Sequence, residues 1–202
     1  IFSIVMAIYN SDPFLRETLD SVVNQYIDEF ELPFEEIVQV IMVDDGSTDG
    51  TAEIIDEYAS QYSNFIPIHK TNGGVASARN EGLKYVEGKY MNFLDSDDVF
   101  SGDVLWKVYQ FFEENYSRTD IVTIPLHFFD AVQGAHWQNG KFKGGTRVVD
   151  LFNEYTASLM FVNASFFKSN YKDKVEFDGA LPCGEDIKYI CTILSEKMTL
   201  GL

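Results

Sequence analysis

The chain has 202 residues, 46% of them hydrophobic and 23% charged, and a formal net charge of −17. That length holds one substantial core and is marginal for two. The acidity argues against a nucleic-acid partner, because phosphates would be repelled rather than neutralised, and any anionic substrate would need a metal cation to hold it. No stretch approaches the ~20 apolar residues that a membrane helix needs, and the opening IFSIVMAIYN lacks the basic start of a secretory signal. The first residue is not Met, and the sequence stops at MTLGL soon after its last helical stretch. Further chain is therefore expected outside it, with any targeting or anchoring element there. Cys183 and Cys191 give neither a disulfide framework nor zinc spacing, and are expected to be idle or buried thiols in a reducing compartment.

FSIVMAI (2–8) is a short apolar run with β-branched residues, which predicts a buried strand. NSDP is a turn and helix start, with Pro13 near the first helical position and Glu17 in the first turn. Phe14, Leu15, Thr18, Leu19, Val22 and Val23 then recur at helical spacing. EEIVQVIMVDD (35–45) predicts a second buried strand ending at Asp44 and Asp45. After the turn GSTDG comes a helix, TAEIIDEYASQY, and a third strand, NFIPIHK. TNGGVAS is a Gly-rich turn into the helix VASARNEGLKYV. KYMNFLD predicts a fourth strand and DVLWKVYQFFEENY another helix.

This βαβαβαβ order predicts an α/β doubly wound, mainly parallel sheet with helices on both faces. Ligands of such sheets bind outside the carboxyl ends of the strands. Four polar clusters converge there: Tyr9-Asn10, Asp44-Asp45, Thr71 to Gly74, and Asp95 to Asp98. The second half reads less clearly. DIVTIPLHFFDA (120–131) predicts a strand, and the Gly-rich VQGAHWQNGKFKGGTRVVD (132–150) a hairpin or loop. LFNEYTASLMFVNASFFKSN (151–170) mixes short helix and strand, and a last helix opens between Gly184 and Asp186. No linker or repeat appears. One domain is expected over 1–202, with a nucleotide-binding half (1–100) and an acceptor half (101–202).

Each cluster has a chemical and a plainer reading. Asp95, Asp97 and Asp98 crowd three carboxylates at a strand end. A hard divalent cation, Mg2+ or Mn2+, would relieve the crowding and bridge to a diphosphate. The plainer reading is a solvated turn, with Asp97 or Asp98 capping the helix at 103. Asp45 can accept hydrogen bonds from a base or ribose, while Ser47 to Asp49 form the turn and cap the next helix. Gly73-Gly74 ahead of a helix can offer amides to phosphate, without a Walker A or G-x-G-x-x-G pattern. Arg79 either contacts phosphate or pairs with a strand-end aspartate and holds the site's shape; the second is the plainer. Glu185-Asp186 is either a general base with its neighbour or simply an acidic first turn suited to the helix dipole. His69, His127 and His136 are isolated, without metal or triad spacing.

Taken in order, these stretches resemble the family 2 glycosyltransferases of the GT-A fold. VIMVDDGSTDGT is similar to the family's nucleotide-binding signature, NGGVASARNEGL to its following loop and helix, YMNFLDSDDVF to its DXD metal motif, and GEDIKY to its late ED motif. The likeness runs from residue 2 to about 192. It implies that Tyr9 and Asp45 hold the base and ribose of a nucleotide-sugar donor, UDP-linked, with Ala7 beside them through its backbone. Gly74 and Arg79 would lie near the base or diphosphate. Asp95 would contact ribose or a metal-bound water, and Asp97, with Asp98 as second candidate, would bind Mn2+ or Mg2+. Asp186, supported by Glu185, would deprotonate a hydroxyl of a glycan or lipid-linked acceptor, giving inverting transfer. Such domains work on the cytoplasmic side in building capsule, teichoic acid or other surface polysaccharide, with possible peripheral membrane association through segments outside the sequence. Against the family's pattern, YIDEFELPFEE (26–36) is a longer connection, expected to be a surface loop, and the further phosphate-binding or metal-binding residue beyond the ED motif falls past the end. Two other readings stand beside this one: a nucleotidyl- or CDP-type transferase, and a nucleotide- or glycan-binding module that kept the fold and lost turnover.

Overall fold

β1 (Phe2–Ile8) splits its side chains between two cores because successive residues of a strand point to opposite faces. Phe2, Ile4, Met6 and Ile8 enter one core, Val5 the other. The computed structural model describes residues 1–129, 133–154, 161–181, 183–196 and 199–202. The end of the strand expected at 120–131, the middle of the segment 151–170 and Pro182 lie outside the described residues.

β2 (Val38–Asp44) and β4 (Tyr90–Phe93) pair in parallel with the two edges of β1, and β3 (Phe65–His69) continues outward from β2. β5 (Ile121–Thr123), β8 (Val148–Asp150), β9 (Ser165–Lys168) and β10 (Thr199–Gly201) complete an eight-stranded sheet. Its order is β3-β2-β1-β4-β9-β5-β10-β8. The pairings of β9 with β4 and β5, and of β10 with β8, are antiparallel, so the sheet is mixed. β6 (His127–Phe129) and β7 (Gln133–Ala135) make a separate antiparallel pair. The strand expected over 120–131 is thus two strands, broken at Ile124–Leu126.

α1 (Leu15–Val23), α3 (Thr51–Gln61) and α5 (Val104–Asn115) feed the core under Ile4 and Met6. α4 (Val75–Leu83) and α6 (Glu185–Glu196) feed the core on the opposite face, where Tyr189 stacks on Phe177 at 4.2 Å and meets Phe93 and Phe167 edge-on. This is the expected doubly wound arrangement. The chain winds outward from β1 to β3 and returns through α4 to β4, so the order reverses between β1 and β4.

Three expectations need correction. Residues 35–37 of the predicted second strand belong instead to a helical turn, α2 (Phe34–Ile37), behind Pro33, and β2 starts at Val38. The connection 26–36 is also more than a surface loop: Phe30 packs against Trp106 at 4.9 Å and Tyr109 at 5.1 Å on α5. Cys183 and Cys191 are free and both exposed, so neither is a buried thiol.

Candidate active site

At the switch point, the loops after β1 and β4 touch directly. Ser11 Oγ and Ser96 Oγ lie 2.7 Å apart, and Thr18 Oγ1 donates to the Ser96 carbonyl at 2.9 Å. The loop after β2 is tied in as well. Thr48 N donates to Asn10 Oδ1 at 2.8 Å, and Asp44 closes an Asx turn by accepting from Ser47 N at 2.8 Å. Asp49 does not cap α3, whose N-cap is Gly50; it accepts from Thr51 N at 3.1 Å in an Asx turn just ahead of the helix. Tyr9 is half exposed beside these loops, and Ala7 pairs with Val43 inside the sheet.

Asp45 is only 3% exposed. Its oxygens accept from Lys70 Nζ at 2.5 Å, Gly73 N at 3.0 Å and Gly74 N at 2.7 Å. The two glycine amides therefore point at Asp45, and the carboxylate fixes the Gly-rich turn ahead of α4. Gly74 has φ +84°, a conformation that costs any other residue strain. Gly46 is equally constrained, because a Cβ there would meet Asn72 N at 2.9 Å. Lys70 was not among the expected site residues. Its place beside Asp45 follows from the register His69↔Asp44, which becomes known only once β2 and β3 are paired.

Arg79, from the buried side of α4, is 4% exposed. Its Nη2 donates to Asp95 Oδ1 at 2.9 Å, and its Nη1 donates to Asp186 Oδ1 at 2.5 Å and Glu185 Oε1 at 3.3 Å. The guanidinium lies over the Phe177 ring at 5.2 Å. Its neighbour Asn80 clamps the Phe177 main chain from both sides, at 2.8 Å each way. One helix turn thus anchors the segment that leads into α6. The expectation that Arg79 pairs with a strand-end aspartate is met by Asp95; its second pair of partners was not foreseen.

Asp97 is exposed and Asp98 half-buried, and neither caps α5, whose N-cap is Asp103. Asp98 instead accepts from Asn163 Nδ2 at 2.6 Å. Asn163 is brought there by buried Asn92, which donates to the carbonyls of Asn163 and Ser165 at 3.1 and 2.8 Å. Three carboxylates, Asp95, Glu185 and Asp186, therefore meet one guanidinium, and Asp97 and Asp98 follow Asp95 on the same strand-end loop. Burial pushes Asp95 above the ordinary carboxylate range; Arg79 opposes this, and Asp97 and Glu185 add to it. Burial likewise raises Asp98, against the Asn163 hydrogen bond. It also raises Asp186, with Arg79 pulling back and Glu185 and Asp95 pushing further.

Among the described residues no three His, Cys, Asp or Glu side chains gather as a protein-only metal cage. The acidic donors nevertheless fit Mg2+ or Mn2+, which take one or two carboxylates from protein and complete their shell with phosphate and water. Uncompensated charge at Asp97 and Asp98 is what such an ion would relieve.

A mixed sheet with this switch point, carboxylates at the end of its central strand and an acidic pair opening a late helix, is the GT-A glycosyltransferase architecture. Residues 3–171 match glycosyl transferase family 2, and the chain belongs to that family. It is 41% identical over its whole length to minor teichoic acid biosynthesis protein GgaB of Bacillus subtilis, spanning 22% of that protein. Over 91% of its length it is 33% identical to a poly(ribitol-phosphate) beta-glucosyltransferase of Bacillus spizizenii, spanning 28% of it. The chain therefore spans well under half of these relatives. Among solved structures, S. aureus TarS in complex with UDP-GlcNAc superposes with a TM-score of 0.77 at 28% identity, over 92% of this chain and 50% of that one. TarS in complex with UDP gives 0.79 at 25% identity, over 99% and 56%.

Proposed function

We propose that this chain is the catalytic domain of an inverting, metal-dependent glycosyltransferase. It moves a sugar from a UDP-sugar to a hydroxyl of a teichoic-acid-type surface polymer. The observation that carries this reading is the Arg79 guanidinium, which joins Asp95 at the end of β4 to Asp186 at the start of α6. Strand end and helix start thus share one cleft. The nucleotide and polymer classes are supported by the UDP complexes of TarS and by the teichoic acid relatives.

In this mechanism Tyr9, Asp45 and the Ala7 backbone hold the base and ribose, with Gly74 beside them and Asp95 at the ribose. Asp97 and Asp98 would hold Mn2+ or Mg2+, which when bound offsets charge on the leaving diphosphate. Asp186 accepts the acceptor's hydroxyl proton as that oxygen attacks the anomeric carbon. The new C–O bond forms as the bond to the diphosphate oxygen breaks, and the electron pair leaves on the diphosphate. Attack from the opposite side inverts the anomeric centre. Arg79 holds the Asp186 carboxylate in place throughout, and Glu185 supports it through the same Arg79 nitrogen. The reaction belongs on the cytoplasmic side, where nucleotide sugars are made. Among the described residues no helix is long and apolar enough to cross a membrane.

Calorimetric titration of UDP with and without Mn2+, on wild type and Asp97→Ala, tests the donor site. Metal-dependent binding that the variant loses is the expected result; UDP binding in neither condition sinks the reading. For the base, Asp186→Asn should keep UDP binding while transfer falls by about 10³-fold. Unchanged transfer would remove Asp186 from its role.

A further inference from the structure

The acidity of the chain is unevenly spread. Acids outnumber bases 32 to 15 overall, yet no carboxylate lies between Asp130 and Asp150, where Lys141, Lys143 and Arg147 sit. This island includes a 3-10 stretch, Trp137–Gly144, after β7. The stretch and the residues just after it line two hollows. Phe142, Gly145 and Thr146 line a cavity of about 630 Å³ that reaches Asp98 and Asn163. Trp137, Lys141, Lys143 and Arg147 line a second of about 410 Å³, in which Glu154 is the one lining acid among the described residues.

The second hollow is built rather than incidental. Arg147 Nη2 donates to Glu154 Oε2 at 3.0 Å, Nη1 donates to the Gly145 carbonyl at 3.1 Å, and the Arg147 main chain pairs both ways with Leu202. Gly144 makes room for that guanidinium, since a Cβ there would lie 2.6 Å from its central carbon. His136 caps the start of the stretch by accepting from Gln138 N at 3.2 Å. Lys143 is exposed at the wall, Lys141 is half-buried, and Trp137 stands 77% exposed at the rim.

We propose that this hollow is a subsite for an anionic phosphodiester polymer, the acceptor, with Lys141 and Lys143 contacting its phosphates and Trp137 covering its polyol or sugar units. The inference rests on the acceptor class proposed above. The carboxylate cleft repels phosphates, so a phosphate-bearing acceptor must have them gathered away from it. The basic hollow does this on the same 137–147 segment that, through Phe142, Gly145 and Thr146, lines the cavity reaching Asp98. A neutral glycan would have no use for the island. Nucleic acid is the weaker occupant, because three cations in a chain of −17 cannot track a long phosphate backbone.

The test is binding of a synthetic ribitol-phosphate oligomer to wild type, Lys143→Glu and Lys141→Gln/Lys143→Gln, at low salt and at about 0.3 M salt. Wild type should bind it with an affinity that drops with salt. Both variants should bind about tenfold more weakly and lose most of that salt dependence. Lys143 is exposed, so its reversal leaves packing intact, and thermal melting checks this directly. Equal affinity of variants and wild type would overturn the proposal. So would a stronger charge-dependent response to phosphatidylglycerol vesicles or single-stranded DNA than to the oligomer. UDP titration of the same proteins separates the two readings: loss of UDP binding in wild type indicts the donor site, while intact UDP binding with unaltered oligomer affinity indicts only this subsite.

Discussion

Arg79 meets three carboxylates with one guanidinium, and two of them lie more than a hundred residues away in sequence. Replacing it by Gln leaves Asp95 and Asp186 in the cleft without their cation, at a cost of about 3 kcal/mol in stability. The same change removes what opposes the upward push of burial on Asp186. A base must be ionised to work, so the acid limb of the kcat–pH profile should move to higher pH in Arg79→Gln, and Arg79→Lys should move it less. A profile of unchanged shape would reduce Arg79 to a packing role. His69 offers a second pH test. A hydrogen bond from its ring to the Asp44 carboxylate raises its pKa above 6.5 against the opposing effect of burial, and Asp56 adds to the rise. Its contribution to stability is therefore complete below about 6.5 and is lost as pH rises through the elevated folded value. Melting temperatures of wild type and His69→Gln should differ at pH 6 and converge above that value. His69 read as isolated in sequence because both partners come from other elements, β2 and α3.

Elements with strong periodicity were legible from sequence alone. β1, α1, α3, β3, α4 and β4 lie where apolar runs, helical spacing and turn residues put them, and β1 and β4 are buried on both faces. The connection 26–36 was not legible, because its anchors, Phe30 against Trp106 and Tyr109 and Phe34 against Tyr62 and Phe65, have no regular spacing and meet residues far along the chain. Phe30→Ala should cost about 1–2 kcal/mol, measured by urea unfolding, and leave UDP binding intact. α4 has little tolerance on its inner side: a Cβ at Gly82 would lie 2.4 Å from Val5 Cγ1. Val5 is a buried β-branched residue and yields poorly, so Gly82→Ala should destabilise by about 1–3 kcal/mol. β9 escaped notice as a partner of β4 and β5. It is four residues long, and nothing in SFFK announces that it runs antiparallel between two strands from other parts of the chain.

For the molecule as a whole, a charge of −17 and a site with three carboxylates on one arginine and two more on the loop after β4 lead to the same expectation: nucleotide affinity should depend steeply on divalent cation. Chelation with EDTA should abolish UDP binding in the titration, and Mn2+ should restore it to wild type but not to Asp97→Ala. The sequence by itself determined the class of fold and the four strand-end clusters, because hydrophobic period and turn chemistry are local properties. It also supplied the ordered motifs that mark the family. Only the tertiary structure decided which groups meet. Asp45 turned out to hold Gly73 and Gly74, Asp98 to meet Asn163, and Arg79 to bind Asp186, all through contacts across the sheet edge. Those pairings depend on strand order and on the antiparallel insertion of β9, which set distances between residues far apart in the chain and leave no trace in local periodicity.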